Sequence, residues 1–189
     1  MPWWCITPRP STSTQGDVDR DPRSSTSSLR GVLVDMDGLL VDSEPLWFEV
    51  ERDVFARLGG PWAWTRADAD ALVGGSVAAS AARIAELAGQ ASAAEQAEQW
   101  IVDGMAQRLG TGVPLKPGAS ALLAACAEHG VPTALVSSSY RRLVDVVLAG
   151  MPSGTFAASV AGDEVQQGKP SPEPYLTALT LLGLRAADC

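Results

Sequence analysis

After Pro117-Gly118 the sequence alternates between helix-period and strand-period segments, and that alternation leaves few folds open. A helix is expected over 119–128, a strand over 133–137, a helix over 140–148 and a strand near 156–160. A last helix opens at Ser171-Pro172, an N-cap followed by proline in the first turn, and runs to about 182. Strands that alternate with helices imply a parallel sheet joined by right-handed crossovers. A further strand precedes this region. The run LRGVLVDMDG (29–38) is short, apolar and β-branched, then ends abruptly in acids and Gly38, as a buried parallel strand does when it reaches a site.

Between this strand and the alternating region the pattern is helical throughout. Trp47, Val50, Val54 and Leu58 repeat at intervals of three and four, and Gly59-Gly60 ends the helix. Further helices are expected to start at Thr65, at Ser76 and at Ser92, the last with Ser92 and Glu95 as a capping-box pair and an end near 109. An all-helical segment over about 44–115 therefore sits as an insertion above an α/β core made of 29–43 and 116–189. Residues 1–28 are rich in Ser, Thr, Pro, Arg and Asp without hydrophobic period, and read as a disordered tail.

Composition narrows the function. With 46% hydrophobic and 19% charged residues the chain is neither fibrous nor membranous, and its apolar runs fall short of a span. The formal charge of −8 argues against nucleic acid as partner, because that binding rests on clustered Lys and Arg. Cys5, Cys126 and Cys189 are far apart and odd in number, which suggests a reducing compartment without a disulfide frame. Cys126, on an apolar helix pattern, reads as a small buried hydrophobe. The start MPWWCITPRP lacks the features of a signal peptide, so the expected location is the cytoplasm. The sequence is silent on oligomeric state.

In an open parallel sheet, ligands collect at the carboxyl ends of strands. Three strand ends here carry polar residues. Asp35 and Asp37 stand two apart in an extended segment, so both can face one cavity while Met36 turns inward. Two carboxylates so close need a cation or one raised pKa, and an all-oxygen site that also meets phosphate suits Mg²⁺. One could act as nucleophile and the other as acid and base. Taken alone, the same residues are equally a turn with N-cap acids. Ser137-Ser138-Ser139 precede a helix, where a hydroxyl and backbone N–H groups make an anion site; a plain N-cap needs only one serine. Lys169, in Gly168-Lys169-Pro170, is a point charge for phosphate or a solvated surface lysine. His129, the single histidine, lies near a helix end and reads as a cap, and Trp62 and Trp64 as packing against a cap helix. Asp163 and Glu164 read as loop residues with a lesser chance of pairing with Lys169, and Arg142 as solvated.

DMDGLLVDSEPLW (35–47), LVSSS (135–139) and GDEVQQGKPSPEPYL (162–176) resemble the first three motifs of the haloacid dehalogenase superfamily, in order and with a helical cap after the first. The resemblance covers about 29–189. It implies a Rossmann-like core and a Mg²⁺-dependent phosphatase acting on a small phosphorylated metabolite, such as a sugar or polyol phosphate. By position, Asp35 would be the nucleophile and a metal ligand, and Asp37 the acid and base with its backbone carbonyl on the metal. Ser137 would bind the phosphoryl group, helped by the backbone of Met36, Asp37 and Ser138, and Lys169 would steady phosphate and Asp35. The acid at Asp37 favours phosphate ester over carbon–halogen cleavage.

Two departures follow from the same resemblance. The family's fourth motif, an acidic pair after a further strand beside the first, has no counterpart before Cys189. The expectation is therefore a core lacking its last strands, and an inactive truncated fragment is one alternative. The cap segment around Gly74, Gly75 and Ser76 resembles the substrate loop of the sugar-phosphate mutases, which carry arginine where this chain has Val77. A sugar phosphomutase is thereby placed behind a plain phosphatase.

Overall fold

The computed structural model describes residues 29–189, so the N-terminal tail lies outside the described residues. Three short strands form a parallel sheet in the order β1-β2-β3: β1 Val32–Asp35, β2 Thr133–Val136 and β3 Ala158–Val160. Their register sets Asp35 beside Val136, and Val136 beside Val160. The carboxyl ends of all three strands are thus level, which brings the first acid, the serines and the loop after β3 to one edge. The central strand is buried along its whole length, because both its sides are paired and both its faces covered.

Side chains alternate across β2 as strand geometry requires. Leu135 joins the larger core, with Leu123 of helix α5 (Ala119–Glu128) and Leu143, Val144 and Val147 of helix α6 (Arg141–Ala149). Ala134 and Val136 face the other way, toward Val160 and Ala178 of helix α7 (Glu173–Leu182). Helices therefore cover both faces, an α/β core as the alternation implied. Cys126 is buried on α5, a small apolar filler, and the His129 ring bonds the Ala125 carbonyl at that helix's end.

The inserted segment is all-helical: α1 Glu44–Arg57, α2 Arg66–Asp70, α3 Val77–Leu87 and α4 Ala94–Gly110. Its own core includes Val54, Phe55, Ala81, Ile84, Ile101 and Met105, several of them with no exposed surface. Burying side chains of this size contributes about 1.5–3 kcal/mol each, enough to hold the cap as a unit. Phe55 on α1 packs against Trp62 and Trp64 with ring centroids 5.0 Å apart in both pairs. Thr65 and Ser76 cap their helices, Thr65 in a full capping box with Asp68.

Some boundaries differ from the sequence reading. Ser92 does not start α4: residues 91–93 form a tight turn closed by Ala93 N donating to Gln90 O at 2.8 Å, and the helix begins at Ala94 without a side-chain cap. The Ser92 and Glu95 pair is thus unused, because the turn already steers the chain into the helix. At α7 the N-cap is Pro172, and Ser171 Oγ accepts from Glu173 N at 3.3 Å from one residue earlier.

Core and cap are joined by two strands of chain that run side by side. Val41 and Leu115 pair antiparallel, Asp42 N donates to Pro114 O at 2.7 Å, and Lys116 N donates to Leu40 O at 2.9 Å. Lys116 Nζ also meets Asp42 Oδ1 at 3.0 Å. The cap thus leaves the core and returns to it at one place. A second contact lies away from it, where Tyr140 donates to Glu98 at 2.6 Å and Arg142 meets Asp103 at 2.5 Å across α6 and α4. Arg142 is thus paired as well as half-exposed.

Candidate active site

The end of β1 delivers both acids to a cavity of about 310 Å³ between core and cap. Asp35 is the last residue of the strand, and Gly38, at φ 74, turns the chain back so that Asp37 stays at the same mouth. Met36 between them is 1% exposed and enters the core. The extended alternation expected from DMD is what separates the apolar residue from the two carboxylates.

Each acid is held differently. Lys169 Nζ pairs with Asp35 Oδ1, donates to the Val136 carbonyl at 2.9 Å and lies 5.0 Å from the Tyr175 ring centre. The lysine is therefore fixed at the strand ends and is not a solvated surface residue. Asp35 Oδ2 receives no hydrogen bond from a described residue. Asp37 is surrounded by donors: Ser43 Oγ at 2.8 Å and Trp47 Nε1 at 3.1 Å on Oδ1, Ser139 Oγ at 2.9 Å and Ser137 Oγ at 3.2 Å on Oδ2. Four donors fill a carboxylate's acceptor positions.

The serine loop is shaped by Gly162. A Cβ there would lie 2.1 Å from the Ser138 carbonyl oxygen, a backbone atom with nowhere to go, and Gly162 N donates to Ser139 O at 2.8 Å. Only glycine admits this close approach. Ser138 and Ser139 line the cavity, whereas Ser137 is fully buried behind them, its Oγ accepting from Ser139 N at 2.9 Å. Gly74 and Gly75 form part of the cap wall with Val77. Ser76 is not among the lining residues, and its hydroxyl caps α3.

Asp163 and Glu164 do not pair with Lys169. Asp163 accepts from Arg141 N at 2.8 Å, and Glu164 meets Arg141 Nη2 at 2.5 Å, so both serve the start of α6. Three residues that the sequence did not assign to the site also line the cavity: Trp47, Glu51 and Arg66, with Trp47 and Glu51 four apart on one face of α1. That spacing was legible as helix periodicity, but nothing in it distinguished a cavity-facing position from a core-facing one. Burial pushes the Glu51 carboxyl up to about 7, with Glu44 adding to the effect, the Trp64 indole on its flank opposing it and Arg66 opposing it less.

The lining carries five acids, Asp35, Asp37, Glu44, Glu51 and Asp70, against two cations, Arg66 and Lys169. Such a cavity needs additional positive charge before it takes a phosphate. Among the described residues no cluster of three or more His, Cys, Asp or Glu could hold a metal ion. The Asp35 carboxylate and the Asp37 carbonyl, neither saturated by described donors, are hard oxygen atoms of the kind Mg²⁺ takes alongside substrate phosphate.

Residues 29–189 match the family model for haloacid dehalogenase-like hydrolases. The chain belongs to that family. It is 31% identical over 179 residues to protein CbbY of Rhodobacter capsulatus, covering 85% of this chain and 75% of that protein. It is 29% identical over 175 residues to hexitol phosphatase B of Escherichia coli (strain K12), covering 88% of this chain and 75% of the relative. The crystal structure of CbbY from Rhodobacter sphaeroides in complex with phosphate superposes with a TM-score of 0.65 at 26% identity, over 82% of this chain and 73% of that one. This haloacid dehalogenase-like hydrolase thus shares its fold with a relative of solved structure. No helix among the described residues is long and apolar enough to cross a membrane.

Proposed function

We propose that this hydrolase is a phosphatase that removes phosphate from a small sugar or polyol phosphate through an aspartyl-phosphate on Asp35. The observation that carries the reading is the pairing of Lys169 with one oxygen of Asp35, while its other oxygen is free of described donors in a cavity that Asp37 shares. The cavity volume suits a small metabolite. The similarity to hexitol phosphatase B supports the substrate class.

In this reading the Asp35 carboxylate attacks phosphorus and the ester P–O bond breaks, its electron pair leaving with the alcohol oxygen. Asp37 gives that oxygen a proton, then takes one from the water that attacks the phosphoenzyme, releasing phosphate and restoring Asp35. Lys169 holds Asp35 in place and offsets charge on the phosphoryl oxygens. In the serine loop Ser137 N and Ser139 N are already spent on Val160 O and Ser137 Oγ, which leaves the Ser138 N–H to meet the same charge. Mg²⁺, held by the Asp35 carboxylate and the Asp37 carbonyl, would supply further neutralisation of the phosphoryl group.

The test is phosphate release from a hexitol phosphate with and without Mg²⁺. Asp35→Asn should lower turnover by at least about a thousandfold, and Asp37→Asn by roughly 10²–10⁴-fold, as loss of an acid–base group does. Undiminished release by Asp35→Asn places the nucleophile elsewhere.

A further inference from the structure

Glu51 is 5% exposed, lines the cavity from the cap side and leaves Oε2 without a hydrogen-bond partner. A buried carboxyl oxygen without a partner is costly and is kept where something uses it. The nearby Trp64 indole N–H is likewise unpartnered: it leans toward Glu51 without reaching hydrogen-bond geometry. Glu51 follows Trp47 by four residues on α1, about 6 Å along the helix axis. Trp47 touches Asp37, so Glu51 lies one turn farther along the cap wall of the same cavity.

The geometry points to Glu51 as a cap-side subsite that binds a hydroxyl group of the substrate's leaving group, and so as a residue that selects polyol over plain alkyl esters. This rests on the phosphatase reading above. With the Glu51 carboxyl pushed up to about 7, both of its forms are populated near neutrality. A hydroxyl donates to the carboxylate and accepts from the carboxylic acid, so it fits either. A second phosphate on the leaving group would meet Glu44, Glu51 and Asp70 on this wall. An ammonium group would be opposed by Arg66, which lines the same cavity and stacks 4.6 Å over the Phe48 ring, but drawn by the acids, so a comparison with phosphoethanolamine separates it from a hydroxyl. A neutral hydroxylated end avoids the repulsion that a second phosphate would meet.

The experiment compares a hexitol 6-phosphate with hexyl phosphate, of equal carbon count, and with phosphoethanolamine, in the wild type, Glu51→Gln and Glu51→Leu. Both turnover and calorimetric binding are measured. Glu51→Leu should weaken kcat/KM and binding for the hexitol ester roughly tenfold to a hundredfold, mainly through KM. Hexyl phosphate should change less than about threefold, and Glu51→Gln, which keeps the shape and a hydrogen-bonding amide, should retain most of the hexitol preference. Equal losses on hexitol and hexyl esters in both variants would make Glu51 a structural group, and unchanged values, or a preference for phosphoethanolamine, would equally overturn the subsite. If no ester is turned over yet hexitol phosphate binding still depends on Glu51, the phosphatase reading falls and the subsite stands. Turnover that ignores Glu51 has the opposite meaning, and absence of both turnover and binding removes both.

Discussion

Trp47, on the first helix of the cap, donates its indole N–H to Asp37 of the core at 3.1 Å. The proposed acid–base group is thus held by both domains at once, since Ser137 and Ser139 reach it from the core side. A carboxylate with four donors cannot hand a proton to a leaving oxygen until at least one contact yields. Hydroxyls can reverse their role, but an indole only donates. On the proposed mechanism Trp47 therefore links the cap to the readiness of Asp37. Trp47→Phe keeps the ring's packing and removes the donor, so it should cost about 1 kcal/mol of stability. It should also change kcat several-fold while leaving the affinity for inorganic phosphate within about twofold. Paired urea titrations and steady-state kinetics measure both; an unchanged kcat would separate cap position from Asp37.

Lys169 tests the charge balance at the strand ends. Lys169→Met keeps the length of the side chain and removes the cation that faces Asp35 and the Val136 carbonyl. Turnover should drop by about 10²–10³-fold, the range seen when one preorganised donor to developing charge is lost. Lys169→Arg should not restore it, because a planar guanidinium cannot meet both oxygens from the position of a compact ammonium. Inhibition by vanadate offers a second measure, and equal inhibition constants in wild type and Lys169→Met would remove the lysine from the phosphate site.

Gly162→Ala should separate fold from site. Its Cβ would fall 2.1 Å from the Ser138 carbonyl oxygen, so one of two backbone segments must move. The expected loss is about 1–3 kcal/mol, typical of overpacking. Turnover should fall further than stability suggests, because the displaced loop carries Ser138 and Ser139. Thermal unfolding and kinetics on the same preparation measure this. A variant with wild-type turnover would show that the loop tolerates displacement.

The core was legible because its signals are local: a β-branched apolar run that ends in acids at β1, and an alternation of strand and helix periods that admits one sheet type. The pairing of Lys169 with Asp35 was anticipated only through motif order, since 134 residues separate the two. The surroundings of Asp37 were less legible. Trp47 read only as one apolar position in a helix repeat, and no periodicity tells that one helix face meets another domain's carboxylate. Glu51 was hidden for the same reason, because a charged residue on an amphipathic helix is expected in solvent. Ser137, the hydroxyl expected at the phosphate, is buried and bonds Asp37, while Ser138 and Ser139 line the cavity.

Glu51 also makes a prediction about stability against pH. Burial, with Glu44 as a second cause, raises its carboxyl from 4.5 to about 7, while Trp64 and then Arg66 pull the other way. As pH rises between these values the unfolded chain loses this proton before the folded one does, so the folded state is progressively disfavoured. Below about 4.5 both states carry the proton and the group costs nothing. Above about 7 both have lost it, and the cost is constant at on the order of 2–3 kcal/mol. Glu51→Gln removes the titration and leaves a neutral amide in nearly the same volume, a stand-in for the protonated acid. The variant should therefore match the wild type near pH 4.5 and exceed it by about 2–3 kcal/mol at pH 8, with the difference growing across the interval between. Urea midpoints of both proteins at half-unit steps from pH 4.5 to 8 measure this directly. A gap that is flat with pH, or that closes as pH rises, would mean that the Glu51 carboxyl is solvated in the folded chain.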